Sequence, residues 1–579
     1  MRRVLSHRAT RSLFLSGLIL GASAVALTYP HSQAYAAEDD FTDPTTAPAT
    51  PPPVANTDTT ETILKKLPSN AADYFEKTYP HMMSQPLPAK IFNQGGIPAV
   101  IPKLEIDNDP NGQTGSYQPG GQTVTSQNAF FQSLGSNGRA CVTCHQPASG
   151  MSISLRNINK RLNKTKGKDP LFAPVDGANC PTLVPAEDTA GSIVGGFKGK
   201  SKKDFKAARS LLLNKGLIRI PIPVPVSPAP EFKLSIVSDP TTCNFDERTN
   251  QIEINGVKTR MVSMFRRPLI SGNLHFKTTV TGFPGAPPPA LSGNVMWDGR
   301  EPTLQSQALS ATMGHAQAKV PPTTAQINEM VAFEVGIFNA QYRYKTAGLL
   351  TAAGAEGGPE NVADHKDDPA SFPAPGSTVF DEFDAWLTNP GSGSTRETRQ
   401  SIARGQALFN GTATDAQGNP RGTFTISGVS GFNDAVGGDV PGGSCATCHN
   451  FSHAGSDVLA NAQRDIGIGG HAASAGGPAP KTDLPIFEVS GCAPGSFLWD
   501  VSATSVRTND LGKALITGKC RDVGASTVPS LRALSSHEPY FRDGSAATLK
   551  DVVNVYNNRF NIGLTPKEKE DLTNFLGAL

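Results

Sequence analysis

Two pentapeptides carry the chemistry of this chain: Cys141-Val142-Thr143-Cys144-His145 and Cys445-Ala446-Thr447-Cys448-His449. Two thiols three positions apart share one helical turn, and the next residue adds an imidazole on the same side. That spacing lets the thiols add to the two vinyl groups of a porphyrin while the imidazole ligates its iron, so C-x-x-C-H reads as covalent haem c attachment. Eight cysteines and eleven histidines among 579 residues would give one such pentapeptide by chance roughly 0.002 times, and two far less often. Zinc would need two further ligands at each motif, and a thioredoxin-like pair has no reason to carry His each time. Two covalently bound haem c groups are therefore expected. Cys141, Cys144, Cys445 and Cys448 would attach them, and His145 and His449 would hold the irons.

The opposite face of each iron is less constrained. All nine methionines lie at or before Met330, so the second haem has no Met ligand from its own region. His453, His471, His537 and Tyr556 are the local candidates. Tyr556 falls on an expected helix with Leu549, Val552 and Val553, which turns its ring inward. Periodicity alone favours a buried structural Tyr there. Around the first haem the candidates include Met151, Met261, Met264, His275, Met313 and His315, and spacing does not choose among them.

The elements that must position these groups read as helices near the motifs. Ser394-Thr395-Arg396-Glu397 has the form of a capping box, leading a helix through Ile402, Leu408 and Phe409 toward the second motif. Phe130, Phe131 and Leu134 precede the first. Thr565, Pro566 and Glu568 open a closing helix whose Leu572, Phe575, Leu576 and Leu579 recur at helical spacing. The expected fold is mainly α: two cytochrome-c-like haem domains, 63–390 and 391–579, with a small β-rich insertion near 165–260 and long loops. Within the insertion, Ile220–Val226 alternates Pro with β-branched residues, and Ile252–Val257 reads as a hairpin. Lys198, Lys200, Lys202, Lys203, Lys206, Arg209 and Lys215 form a basic run, better read as a solvated face than as a docking patch.

Composition bounds the rest. A net charge of +2, from 52 basic and 50 acidic residues, gives no electrostatic case for nucleic-acid binding. No apolar run is long enough to span a membrane. Residues 1–36 have the form of a signal peptide: Arg2, Arg3, Arg8 and Arg11, then the apolar Leu13–Leu27, then Ala34-Tyr35-Ala36 as a cleavage site near Ala36. Residues 37–62 read as a disordered linker rich in Pro and Thr. The mature chain is expected in the periplasm or secreted, where Cys180, Cys243, Cys492 and Cys520 would form disulfides. Of three pairings, Cys180–Cys243 and Cys492–Cys520 keep each bridge within one haem region, at about 3–4 kcal/mol apiece.

Val295-Met296-Trp297-Asp298-Gly299-Arg300, followed by Leu304 and Gln307, resembles the W-D-G-R segment of the bacterial di-haem cytochrome c peroxidases. Pro529-Ser530-Leu531-Arg532, Pro539-Tyr540-Phe541-Arg542-Asp543-Gly544-Ser545 and Thr548-Leu549 resemble their C-terminal signature, in the same order along the chain. The similarity covers Gln127–Ser154, Met261–Gln317 and Arg396–Leu579. It implies that His145 holds the active-site haem, that His449 holds the haem receiving electrons, and that Trp297 relays between them. In those peroxidases the second haem's distal Met comes fourteen residues after the residue between Phe and Asp in P-Y-F-x-D-G. Counting from Arg542 gives Tyr556, and the relative MauG has a Tyr ligand at that place. The resemblance thus makes Tyr556 the leading distal ligand.

Three positions depart from the family pattern. Arg542 replaces the usual His, and the acid-base Glu falls at Gln317, which cannot shuttle a proton. His315, two residues earlier, is suited to that task. The family's inter-haem calcium is left open, because His537 stands where a ligand-bearing backbone position would be and the usual Asn is not evident. The resemblance implies reduction of hydrogen peroxide or another small oxidant, with electrons from a small donor protein such as a cytochrome c or cupredoxin. The alternatives are a MauG-like oxidase or rubber-oxygenase-like dioxygenase using high-valent haem, and a non-catalytic di-haem electron carrier.

Overall fold

The computed structural model describes residues 99–184, 202–226, 228–254, 257–278, 295–368, 378–459 and 462–579. The expected signal peptide and linker, Lys198, Lys200, Asn255 and Gly256 lie outside the described residues. Helix makes up 35% of what is described and strand 19%, the strands falling in seven small sheets. The mainly-α expectation is therefore wrong; the chain mixes the two. It extrapolated from the helices beside the motifs, whereas the intervening sequence is broken by many of its 57 Gly and 47 Pro, which favour short strands and turns over long helices.

The C-terminal region is the helical part. Helix Arg396–Asn410 crosses helix Pro566–Ala578, with Leu549–Arg559 beside them. Ile402, Phe409, Leu572, Phe575 and Leu576 meet in a core with Phe380, Phe383 and Trp386. The crossing is close because Gly405 sits at it: a Cβ there would stand 2.1 Å from the Asp571 carbonyl oxygen. Thr565 caps the last helix as expected, accepting from Glu568 N–H at 3.3 Å while Glu568 accepts from Thr565 N–H at 2.8 Å. The other box does not form. Thr395 is itself helical and no side chain caps the helix it precedes; Glu397 reaches Arg404 and Lys567 instead.

No comparable helix leads into the first motif, where Ala129–Phe131 makes only a 3-10 turn. Helices Leu304–Gly314 and Thr324–Gly336 pack over that region instead, each opened by a Thr cap. A four-stranded antiparallel sheet, in the order Gly348–Leu349, Phe338–Tyr344, Gly112–Tyr117, Leu104–Asp109, meets the chain's last residue through Gln341 N–H and the Leu579 carbonyl, 3.1 Å.

The stretch expected as a β-rich insertion mixes short helices with strands and is not self-contained. Ile218–Pro223 and Gln251–Ile254 flank Val257–Arg266 in one antiparallel sheet. Lys233–Ser238 instead joins a sheet with Ile486–Ser490 and Ser505–Thr508 from the C-terminal half. Ile220, Phe232 and Met264 share one core with Phe487, Val489 and Leu511. Both expected disulfides are present, Cys180–Cys243 and Cys492–Cys520. Within the basic run Arg209 is a correction. It is fully buried, donating to the Phe172 carbonyl and lying over the Phe205 ring, because its delocalised guanidinium stacks where an ammonium would not. Among the described residues no helix is long and apolar enough to cross a membrane.

Candidate functional site

The two C-x-x-C-H turns are built alike. Thr143 Oγ1 accepts from the N–H of Ala140 at 3.0 Å, and Thr447 Oγ1 from that of Ser444 at 2.9 Å. Each His N–H closes the turn on the first Cys carbonyl, at 3.0 Å in both. Each imidazole then donates through Nδ1 to the carbonyl six residues on: His145 to Met151 at 3.1 Å, His449 to Gly455 at 2.7 Å. A carbonyl only accepts, so Nδ1 carries the proton and Nε2 keeps a free lone pair, as a metal-ligating imidazole requires. Burial pushes His145 down to about 4 and lowers His449 too, which keeps both rings neutral. The four thiols form no disulfide, and burial pushes Cys445 and Cys448 up to about 12.

Each turn faces its own cavity. The first encloses about 1700 Å³ and the second about 1600 Å³, mouths included. One wall serves both: Arg267–Ile270, Trp297 and Thr527–Ser530 line each cavity. Trp297 Nε1 donates to the Arg267 carbonyl at 2.7 Å, and Thr527 N–H donates to the Trp297 carbonyl at 2.9 Å. A buried ion network stands behind this wall. Arg266 bonds Asp298 at 2.6 Å and Asp510 at 2.7 Å, and Arg542 approaches Asp510 at 3.3 Å. Burial would raise Asp510, but Arg266 and Arg542 bring it well below the carboxylate range. Arg542 thus has an electrostatic partner in this chain.

In the first cavity, His315 is the one residue of the six distal candidates on the lining; Met296 and Met330 also line it. His315 Nδ1 lies 2.9 Å from Asp176 Oδ2, and Asp176 also takes Arg139 at 2.9 Å, so only Nε2 is left free. Gln317 is not brought to the cavity. Its backbone turns through a left-handed conformation, φ 55°, and its buried side chain accepts from Asn137. Sequence reasoning missed Asp176 and Glu334. Glu334 lines the cavity, has one carboxylate oxygen without a hydrogen bond, and is pushed up to about 8 by burial. Its signal was legible: an acid sharing an apolar helix face with Ile327, Met330 and Val331.

In the second cavity, Tyr556 lines the space with Cys445, Cys448 and His449, carried by helix Leu549–Arg559 with Leu549, Val552 and Val553 on the same lining. Its ring lies near those of Phe541 and Phe560, and burial raises its hydroxyl, the two thiols adding to the effect. His537 also lines this cavity, while His453 and His471 turn to carboxylates elsewhere. The donor set suits haem c on each side: two free thiols, one imidazole with an open Nε2, and largely apolar walls.

No family model matches the chain. No curated protein matches it. Among solved structures, a MauG-like protein associated with microbial copper homeostasis aligns at 16% identity over 53% of this chain and 82% of its own, with a TM-score of 0.26. That likeness is too slight to show a shared fold.

Proposed function

We propose that this chain is an exported di-haem c oxidoreductase that reduces hydrogen peroxide to water with electrons from a small donor protein. One observation carries the reading: a wall centred on Trp297 separates two like-built cavities, of which, among the described residues, only the first is lined by carboxyl groups. Haem c bound through the four cysteines supplies redox-active iron to each cavity. The residues do the rest. His145 and His449 would hold the irons, and Tyr556, on the lining of His449's cavity, would help hold the second. Asp176 fixes His315 so that Nε2 can deliver a proton to the departing peroxide oxygen. Glu334, protonated near neutral pH, adds a second proton source. Each peroxide consumes two electrons and two protons, and Trp297 stands where electrons pass between the cavities. The basic-apolar-cleavage pattern of residues 1–36 and the two disulfides support export.

A second reading has its own observation. His145 and His315 line one cavity, each with Nδ1 engaged, so both imidazoles could hold the same iron, which would leave an electron carrier. The deciding experiment is peroxide-dependent oxidation of a reduced small cytochrome c by the protein poised at one electron per molecule. Sustained turnover supports the peroxidase. Stoichiometric peroxide consumption without turnover moves the assignment to an oxidase or oxygenase on an organic substrate. No reaction, with both irons low-spin, leaves the carrier.

A further inference from the structure

Away from both cavities, His365, Asp368 and His453 bring their ligand atoms within 4.8 Å of one another. We infer that these three side chains form a binding site for one divalent transition-metal ion, independent of the haem reading. His365 ends the helix Pro359–Asp364, and Asp368 follows three residues later. His453 comes from the loop beyond the second C-x-x-C-H turn. The two imidazoles stack at 3.9 Å with planes 11° apart. Asp368 Oδ2 stands 2.8 Å from His365 Nδ1 and 3.8 Å from His453 Nε2. Donors about 2.1 Å from a shared ion lie roughly 3.0–3.5 Å apart. Asp368 Oδ2 already stands near both imidazoles at about that spacing; seating an ion requires the more exposed His365 ring to turn out of the stack, so that both imidazole lone pairs point at it.

His453 is held as a ligand needs to be. It is buried, adopts a left-handed backbone (φ 58°), donates its N–H to the Val379 carbonyl at 3.1 Å, and accepts from Arg532 Nε at 2.5 Å. Its far nitrogen, Nδ1, faces Glu382 Oε1 at 3.5 Å, while Glu382 pairs with Arg532. A carboxylate behind an imidazole is the support that orients metal-ligating histidines. Asp381 lies on the same side, 4.0 Å from Nδ1, so the ion side of the ring is Nε2. Two imidazoles and one carboxylate favour zinc, copper, nickel or ferrous iron over magnesium or calcium. His365 and Asp368 are partly open to solvent, at 35% and 49%, which gives an ion its entry and leaves room for water ligands.

The test is calorimetric titration of zinc chloride into the purified full chain with any affinity tag removed, followed by metal analysis after gel filtration. One equivalent should bind. His365→Ala and Asp368→Asn should each weaken it by about tenfold or more, without changing the zinc-free melting temperature, since both positions are open to solvent. The inference is overturned if the wild-type chain takes up no stoichiometric zinc, or if both variants bind as tightly as wild type.

Discussion

The two cavities share an attachment turn and a wall, and differ in what faces the turn. Opposite His145 stand His315, its partner Asp176, and Glu334. Opposite His449 stands Tyr556 beside Val552 and Val553, with His537 also on the lining, and among the described residues no carboxyl group lines that space. The same C-x-x-C-H geometry is thus set beside buried carboxyl groups in one pocket and beside an imidazole and phenols in the other, so the residues across from the turn, more than the turn itself, set what each pocket can do.

Paired substitutions give the sharpest test of this contrast. His315→Ala should lower peroxide turnover about 10²–10⁴-fold, while Tyr556→Phe should shift the visible spectrum of one haem only; a Tyr556→Phe protein with both spectra unchanged breaks the ligand assignment. The wall can be probed next. Arg266→Leu leaves Asp298 and Asp510 buried beside each other and should cost about 3–5 kcal/mol in denaturant unfolding; a loss under about 1 kcal/mol would mean the network does not hold the wall. A smaller effect belongs to Glu334. Its folded value of about 8 lies above the ordinary 4.5, so between those values the folded chain keeps a proton the unfolded chain has lost. Stability should therefore fall as pH rises through that window, by up to about 1.4 kcal/mol per pH unit from this group. Glu334→Gln should remove that component, and identical pH slopes for the two proteins would refute it. Smallest is Thr565→Ala, which deletes a cap for about 1 kcal/mol and should leave both haem spectra untouched. A spectral change there would show that the second cavity depends on the last helix more directly than its packing implies.

The C-x-x-C-H turns, the helix carrying Tyr556 and the Thr565 cap were legible because each depends on short-range spacing, and the disulfides because four remaining cysteines allow only three pairings. Thr at the third position of both motifs was visible too, although its capping role needed the backbone to appear. Gln317 was reached by counting from Trp297, and counting does not register that a left-handed residue turns the side chain away from the cavity. The fold class failed for a related reason. Lys233–Ser238 alternates like a strand, but its partner Ile486–Ser490 lies in the other half of the chain, and no local pattern announces a pairing across that distance.

That pairing has a consequence for how the molecule comes into being. Until Ile486–Ser490 has been made and delivered, Lys233–Ser238 has an unsatisfied strand edge and the core around Ile220 and Phe232 lacks Phe487, Val489 and its other C-terminal members. Such long-range closure slows folding and leaves edges open to wrong partners in the meantime. The chain is therefore committed late: a fragment ending before Ile486 would keep its first haem-attachment turn yet expose a sticky edge, so the two halves have to mature together.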